Sequence, residues 1–144
     1  MKIAVKKLRE GAVLPTRGSA SAAGYDLRAC IEESIFIAPG ATAMVGTGLS
    51  IAVPEGYFGA VFARSGLAAK QGVRPANCVG VCDSDYRGEY TVALHNDSTA
   101  PCTINPGDRI AQLVVIPYLP LEFDEVAELD ATERGEGGFG STGR

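Results

Sequence analysis

The chain has 144 residues, of which 46% are hydrophobic and 21% are charged, and its net charge is −4 at pH 7. This length and balance are typical of one soluble globular domain that buries a sizeable core without disulfide staples. The acidic charge argues against a nucleic-acid-binding surface, which needs a basic stripe, and no apolar run is long enough to span a bilayer.

The cysteines are scattered along the chain instead of being closely paired. They are Cys30, Cys78, Cys82 and Cys102. Because residues 1–20 also show no signal-peptide pattern, we expect reduced thiols and a cytoplasmic location. A zinc site made of Cys78, Cys82 and His95 is a weaker alternative, since CxxC and HxxxH spacings are absent. A hydrogen-bonded histidine at a strand end is the preferred interpretation of His95.

Short apolar runs rich in Val, Ile, Phe and Tyr recur along the chain and predict strands. In chain order the clearest runs are residues 2–8, 34–38, 49–53, 57–63, 89–96 and 109–118. The turn sequences APGA, VPEG, NDSTAP and NPGD separate them. Helical periodicity is confined to one or two turns over residues 65–72. The pattern indicates an all-β fold, either a sandwich or a barrel.

Two stretches in the first half of the chain carry polar groups in unusual places. AGYDLRA, residues 23–29, sets Asp26 among apolar and aromatic neighbours, where a carboxylate is costly without a partner or a metal. A solvated strand position is an equally weighted alternative. ARSGLA, residues 63–68, offers Arg64, Ser65 and Gly66 at a possible helix N-terminus. That combination favours an anion site, and an ordinary helix N-cap is the alternative.

The strongest candidate is NCVGVCDSDYRGEY, residues 77–90. If residues 79–83 are extended, Asp83 and Asp85 point to the same face, and such a pair suits a general base or the binding of a cation or water. The alternative is a turn, because Asp, Ser and Gly are turn formers. Tyr86 adds an aromatic ring, and RGE predicts the reversal of a hairpin.

Two further stretches complete the set. In GDRIAQLVV, residues 107–115, Gln112 interrupts a buried strand and needs either a core hydrogen bond or a ligand contact. The glycine-rich end, RGEGGFGSTGR, is either a floppy terminus or a lid that orders on an anionic, ring-bearing ligand. Its candidate contact residues are Arg134, Phe139, Ser141 and Thr142.

In this order, the five stretches resemble the five motifs of the trimeric dUTPases, from about residue 12 to the end. The resemblance implies a jelly-roll-like β-barrel domain over residues 1–132 and a homotrimer with its active sites at subunit interfaces. It also implies a flexible arm, residues 133–144, that closes over the site. Cys82 departs from the family pattern, which usually has an aliphatic residue there, and an exposed thiol at this position would be sensitive to oxidation.

The implied reaction is hydrolysis of dUTP to dUMP and pyrophosphate, which lowers dUTP and supplies dUMP for thymidylate synthesis. Asp83 matches the residue that orients and deprotonates the water attacking the α-phosphorus. Asp26 matches a residue that supports Mg²⁺ indirectly, through water, while the substrate phosphates hold most of the metal. The implied substrate contacts are Arg64, Ser65, Gly66, Asn77, Val81, Cys82, Tyr86, Thr91, Gln112, Arg134, Phe139, Gly140 and Ser141.

Within the resemblance, Tyr86 stacks on deoxyribose, Phe139 stacks on uracil, and Asn77 with the backbone of residues 78–91 binds the uracil edge. Three other functions remain open. A deoxycytidine triphosphate deaminase shares the fold and trimer but attacks the base. A non-catalytic trimer would bind the nucleotide for regulation. A general anion-binding β-domain is the third.

Overall fold

The structure, a computed structural model, describes residues 2–138. These residues form short antiparallel strands and one short helix. In chain order the strands are β1 Ala4–Lys7, β2 Thr16–Arg17, β3 Tyr25–Arg28, β4 Ile35–Ile37, β5 Thr42–Gly46, β6 Leu49–Ala52, β7 Tyr57–Phe62, β8 Val73–Pro75, β9 Val79–Cys82, β10 Thr91–Asn96, β11 Cys102–Ile104 and β12 Arg109–Pro117. The helix α1, Ser65–Gln71, lies between β7 and β8.

The strands form a five-stranded sheet, a three-stranded sheet and two strand pairs. Their orders are β2-β3-β12-β7-β9, β5-β10-β8, β1-β6 and β11-β4. Most neighbours within a sheet are distant in sequence, so the chain passes repeatedly from one sheet to another, as in a jelly roll. The predicted all-β, jelly-roll-like fold is confirmed.

The core lies between the sheets and is made of inward-facing aliphatic side chains. The central strand β12 pairs with β3 on one side and β7 on the other, and its Ile110, Ala111 and Leu113 are buried. Each buried aliphatic side chain contributes about 1.5–3 kcal/mol. Further fully buried side chains are Leu27, Ile37, Leu49, Ile51, Leu94 and Ile104. This packing holds the strand ends, and the polar residues beyond them, in fixed positions.

All six strands predicted from the apolar runs are present. Three of the turns between them close on Gly40, Gly56 and Gly107, whose φ angles are +73°, +80° and +82°. Glycine adopts this left-handed backbone without the steric cost that a Cβ would add. Of the other six strands, β3 and β9 lie in stretches for which an extended backbone was only an alternative or a condition. The strands β2, β5, β8 and β11 were not predicted.

Helix α1 begins directly after Arg64, which occupies the N-cap position with an extended backbone and no side-chain capping bond. The N-cap alternative for Ser65 is therefore wrong, because Ser65 is already the first helical residue. The helix ends at Gly72, which has φ +65° and donates its N–H to the carbonyls of Ala68 and Leu67. This is the usual glycine C-cap.

Beyond β12, residues 118–138 form neither helix nor strand. Their apolar side chains are nonetheless numerous and exposed: Leu119, Leu121, Phe123, Val126 and Leu129, with Phe123 94% exposed. Among the described residues, no helix has the length and apolar character needed to cross a membrane.

Candidate active site

The segment after β9 carries the strongest sequence motif, and its geometry differs from the predicted hairpin. β9 pairs with β7, whereas β10 pairs with β5 and β8. The two strands thus belong to different sheets, so the hairpin prediction is wrong. Residues 83–90 instead cross from one sheet to the other.

Asp83 lies in a turn directly after β9. The backbone N–H of Tyr86 donates to the Asp83 carbonyl over 3.2 Å, which closes the turn Asp83–Tyr86. The same-face prediction for Asp83 and Asp85 was conditional on an extended strand, and the turn alternative is the one observed. The reason is local, because Asp-Ser-Asp favours a turn, and pairing of β9 with β7 ends at Cys82.

The turn is tied down from several sides. The Arg87 guanidinium donates to the carbonyls of Ser84 and Tyr86 over 2.6 and 2.9 Å. The Tyr86 hydroxyl donates to the Glu89 carbonyl over 3.0 Å. Gly88 has to lack a side chain, because a Cβ there would clash with the Tyr86 ring. The ring is therefore held against the backbone while 44% of the residue stays exposed.

A cleft of about 240 Å³ opens beside this turn. Six residues predicted to contact substrate or catalyse line it together: Asn77, Val81, Cys82, Asp83, Tyr86 and Thr91. The remaining lining residues are Val61, Pro75, Gly80, Glu89, Tyr90, Val92 and Ala93. Walls that combine apolar side chains with several polar groups suit a small organic ring that itself carries polar atoms. Whole ligand sites are typically ~300–1,000 Å³, so this cleft accommodates part of a nucleotide and leaves the rest outside.

Asn77 reaches the cleft through an unusual backbone. Cys78, the next residue, has φ +63° and is the one non-glycine residue of positive φ in the described chain. The Val79 N–H donates to the Asn77 carbonyl over 2.7 Å, which tightens the bend. Gly80 keeps the space free, since a Cβ there would lie 3.2 Å from Val61 Cβ and 3.5 Å from the Asn77 amide nitrogen.

A second group of predicted residues gathers at the end of β3, β7 and β12. Asp26 on β3 lies opposite Gln112 on β12, and its side chain is only 14% exposed. Its two carboxylate oxygens accept hydrogen bonds from Arg64 at 2.7 Å and from Arg109 at 3.3 Å. Asp26 thus has the charge partner that its surroundings demand. Two guanidinium groups face one carboxylate, so the group is positive and suits an anion.

Gln112 and the residues after Arg64 complete this second group. The Gln112 amide donates to the Ala63 carbonyl over 2.9 Å, which is a structural hydrogen bond. It fixes the chain just before Arg64 and orients the guanidinium. Gly24 lets the glutamine lie there, because a Cβ at Gly24 would clash with its amide. Ser65 and Gly66 are exposed beside the group.

Within one chain, Asp83 and the group around Arg64 do not meet. Pairing sets Cys82 opposite Gly59 and Val79 opposite Phe62, so Asp83 lies near the start of β7 and Arg64 lies beyond its end. At ~3.4 Å per strand residue the two positions are roughly 20 Å apart. None of Asp26, Arg64 and Gln112 lines the cleft.

The arm residues are described only in part. Arg134 is exposed, and its guanidinium donates to the Gly137 carbonyl over 2.7 Å. Phe139, Gly140, Ser141 and Thr142 lie outside the described residues, so their roles stay predictions.

The zinc alternative finds no support in the part of the chain that the structure describes. No group of three or more His, Cys, Asp or Glu side chains able to hold a metal occurs there. His95 instead shares a hydrogen bond of 2.9 Å between Nδ1 and Thr42 Oγ1, and its Nε2 lies 3.3 Å from Asp97. This matches the predicted hydrogen-bonded histidine at a strand end.

Sequence reasoning missed an ion pair that supports the cleft. Arg9 binds both carboxylate oxygens of Glu89, over 2.6 and 2.9 Å. This hydrogen bond is the main cause of the lowered pKa of Glu89, burial opposes it, and the Gly48 N–H adds to it. The partners are 80 residues apart in the chain, so no local pattern reveals the pair.

Cys82 is a half-buried lining residue. Burial raises the pKa of its thiol, the nearby Tyr90 hydroxyl partly opposes this, and the charge of Asp83 adds to the rise. The thiol is therefore protonated near neutral pH and reacts slowly with oxidants. The side chain packs against the hydrophobic core.

Comparisons with known proteins agree with the resemblance. A model of the dUTPase family matches residues 10–143. The deoxyuridine 5'-triphosphate nucleotidohydrolases of Enterobacter sp. (strain 638) and Salmonella typhimurium (strain LT2) are each 48% identical to the chain over 132 residues, which is 91% of this chain and 87% of each relative.

Solved structures give the same result. A variant dUTPase of Staphylococcus bacteriophage 80alpha with dUpNHpp has a TM-score of 0.90 and 29% identity, covering 99% of both chains. A mutant dUTPase from phage phi11 of S. aureus, described with a coordinated structural Mg(II) ion, has a TM-score of 0.82 and 26% identity, covering 91% of this chain and 100% of that one.

Proposed function

The chain belongs to the dUTPase family, and from this premise we propose which residues carry out the reaction. The enzyme hydrolyses dUTP to dUMP and pyrophosphate. We assign the nucleoside to the cleft beside β9, with Asp83 as the general base. The observation that carries this assignment is that Asp83, Tyr86, Asn77 and Thr91 line one cleft, although they come from different strands and turns.

In the proposed mechanism Asp83 accepts a proton from the attacking water. The water oxygen bonds to the α-phosphorus in line with the bridging oxygen to the β-phosphorus, that bond breaks, and pyrophosphate leaves. Asp83 is exposed at the cleft mouth, where a water can reach it. A positioned base contributes ~10²–10⁴-fold to such a reaction, and positioning plus charge neutralisation supply most of the remainder.

Substrate selection belongs to the walls of the cleft. We propose that the Tyr86 ring lies on the deoxyribose and leaves no space for a 2′-hydroxyl. Asn77, Val81, Cys82, Thr91 and the backbone between them contact the uracil. A pocket whose polar groups would be left unpaired by the wrong base rejects that base strongly.

The phosphates require the second group of residues. We propose that Arg64, Ser65, Gly66 and Gln112 contact them, supported by the excess of positive charge around Asp26. Because that group lies roughly 20 Å from Asp83 along β7, a complete site takes the two groups from different copies of the chain.

A homotrimer with its sites between subunits is the proposed assembly. Its support is the separation of the two groups and the row of exposed apolar side chains after β12, such as Leu119, Leu121 and Phe123, which a neighbouring copy would cover. The proposed domain covers residues 1–132. The arm, residues 133–144, closes over the nucleotide, with Arg134, Gly140 and Ser141 on the phosphates and Phe139 on uracil.

Mg²⁺ fits this site in an indirect role. Both oxygens of Asp26 already accept guanidinium hydrogen bonds, which leaves lone pairs for a water but disfavours direct ligation. We propose that the substrate phosphates hold the metal and that Asp26 binds one of its waters. When bound, Mg²⁺ would neutralise phosphate charge. A cytoplasmic location belongs to the same proposal, supported by the free thiols of Cys30, Cys78, Cys82 and Cys102.

The test is pyrophosphate release with Mg²⁺ from dUTP, dTTP, dCTP and UTP, for the wild type and for Asp83→Asn. We expect turnover of dUTP alone, and a loss of about 10²–10⁴-fold in kcat for Asp83→Asn. Affinity for the non-hydrolysable analogue dUpNHpp should change little. Ammonia release from dCTP would instead indicate the deaminase. Tight dUTP binding by the wild type without turnover would indicate the non-catalytic trimer.

Ser84→Ala, at a half-buried position, serves as the matched control, since it alters the neighbouring side chain of the same turn and leaves the carboxylate intact. Full turnover by Asp83→Asn would refute the assignment of the base.

A further inference from the structure

Tyr90 is a buried tyrosine whose hydroxyl has no hydrogen-bond partner among the described residues. The residue is only 2% exposed. Leaving a buried hydroxyl unpaired is unfavourable, and phenylalanine or leucine would fill the same core space without that cost. The hydroxyl therefore does not explain a tyrosine here, and the contacts of the ring are the feature to consider.

The backbone of Tyr90 is held by three hydrogen bonds to Thr47 and Leu49. Its N–H donates to the Leu49 carbonyl over 2.8 Å. Its carbonyl accepts from the N–H of Thr47 over 3.2 Å and from the Thr47 hydroxyl over 2.6 Å. Thr47 and Leu49 are themselves buried. Tyr90 is thus a fixed point directly beneath the exposed turn.

The ring of Tyr90 connects this fixed point to the cleft. Its centroid lies 6.1 Å from that of Tyr86, at an interplanar angle of 41°, which is a favourable tilted aromatic pair. Its hydroxyl fills the space that a Cβ on Gly59 would need, 3.0 Å away, and Gly59 pairs with Cys82. Tyr90 therefore lies between the ring of Tyr86 and the strand that leads to Asp83.

We propose that Tyr90 is a positioning residue that sets the orientation of the Tyr86 ring, and through it the preference for deoxyribose over ribose. The inference rests on the proposed function of Tyr86. Tyr86 is tethered by its hydroxyl to Glu89 but is otherwise half-exposed, so a buried ring behind it restricts its rotation. A ring free to tilt would open space for a 2′-hydroxyl.

The test compares Tyr90→Leu with Tyr90→Phe, using the ratio of kcat/KM for dUTP to that for UTP. Tyr90→Leu removes the ring and keeps apolar bulk, so the ratio should fall by roughly 3- to 10-fold, the worth of one aromatic pair. The lower ratio should arise mainly from a raised KM for dUTP and a raised kcat/KM for UTP. Tyr90→Phe keeps the ring and removes the unpaired hydroxyl, so the ratio should stay at the wild-type value.

Tyr57→Leu is the matched control, because Tyr57 packs against the core from β7 without lining the cleft. It should lower the melting temperature and leave the ratio unchanged. A Tyr90→Leu enzyme with the wild-type ratio would overturn the proposal and reduce Tyr90 to core packing. If Tyr90→Leu fails to fold, Tyr90→Met replaces it in the test, because its flexible side chain fills the same space. We expect the same fall in the ratio, and a wild-type ratio would again overturn the proposal. Wild-type turnover of dUTP is measured first, so failure of the proposed function is seen separately.

Discussion

At the scale of single residues, Asp26 shows how much of a side chain's environment a short stretch of sequence can predict. A carboxylate in an apolar, aromatic stretch predicted a partner or a metal, and two guanidinium partners are present. The sequence did not say which arginines these are, because Arg64 and Arg109 are 38 and 83 residues away. A short stretch of sequence shows that the carboxylate needs a partner, whereas the fold decides which residues become its partners.

Glu89 offers a prediction at the same scale. Its pKa is lowered by Arg9, so its carboxylate stabilises the fold above the ordinary glutamate pKa of ~4.3, and that stability is lost as the pH falls through the lowered value. Glu89→Gln should cost about 1 kcal/mol near neutral pH, because Arg9 is partly exposed. The difference in the free energy of unfolding between Glu89→Gln and the wild type should shrink as the pH is lowered. Urea unfolding from about pH 7 to about pH 3 measures it.

Glu33→Gln, an exposed carboxylate elsewhere on the surface, is the control and should change stability little at any of these pH values. A difference between wild type and Glu89→Gln that stays constant down to the lowest pH would contradict the linkage.

The four thiols should differ in reactivity. Cys78 is exposed, Cys82 is half-buried, and Cys30 and Cys102 are buried. Burial raises the pKa of the Cys82 thiol, so we expect it to be alkylated roughly tenfold or more slowly than Cys78. Iodoacetamide labelling followed by peptide mass spectrometry gives the order of reactivity of the thiols. The Cys78→Ser variant shows how much of the total labelling belongs to Cys78. Equal labelling of Cys78 and Cys82 would show that the cleft wall opens in solution.

At the scale of elements, the strands predicted from the sequence were those whose apolar runs pack on the core. The missed strands β2, β5, β8 and β11 have two to five residues. Their sequences, TR, TAMVG, VRP and CTI, contain no run of three β-branched or aromatic residues, and these segments become strands because a neighbour supplies hydrogen bonds. The hairpin prediction failed for the same reason, since strand partners are chosen by the core and not by the intervening turn.

The end of helix α1 is a test of an element boundary. Gly72 has φ +65°, and a Cβ there would lie 2.9 Å from Ser98 Cβ and 3.0 Å from Ser98 N. We expect Gly72→Ala to cost about 2 kcal/mol, from backbone strain and this contact. Thermal and urea unfolding measure it.

Gly66→Ala is the matched control within the same helix. No atom lies within 4 Å of the Cβ it would gain, so it should stabilise the helix by about 0.5 kcal/mol. Equal effects of the two substitutions would mean that helix propensity, and not the left-handed cap, decides the stability of this region.

At the scale of the whole molecule, we expect the segment after β12 to stabilise the proposed trimer. The exposed Leu121 and Phe123 would each gain about 1.5–3 kcal/mol on burial against another copy. Deleting residues 119–144 should therefore weaken the trimer. Deleting residues 134–144 should leave it assembled and reduce turnover severely, because only the closing arm is lost. Light scattering after gel filtration, with the pyrophosphate assay, separates the two outcomes.

Leu121→Ser combined with Phe123→Ser, in the chain of full length, tests the apolar contact without shortening the segment. A trimer of unchanged stability in that variant would assign assembly to another surface. Full turnover after deletion of residues 134–144 would refute the role of the arm.

By itself the sequence determined the fold class and the family and predicted the residues that carry the chemistry, because motifs such as DSDYRGE and the alternation of the long strands are local properties of the chain. Tertiary structure decided which of those residues meet. It placed Asp83 in a turn beside Tyr86, paired Asp26 with two arginines, buried Tyr90 beneath the cleft, and separated the two groups along β7. These arrangements depend on contacts between residues tens of positions apart. Long-range packing selects such contacts, and no short stretch of sequence records them.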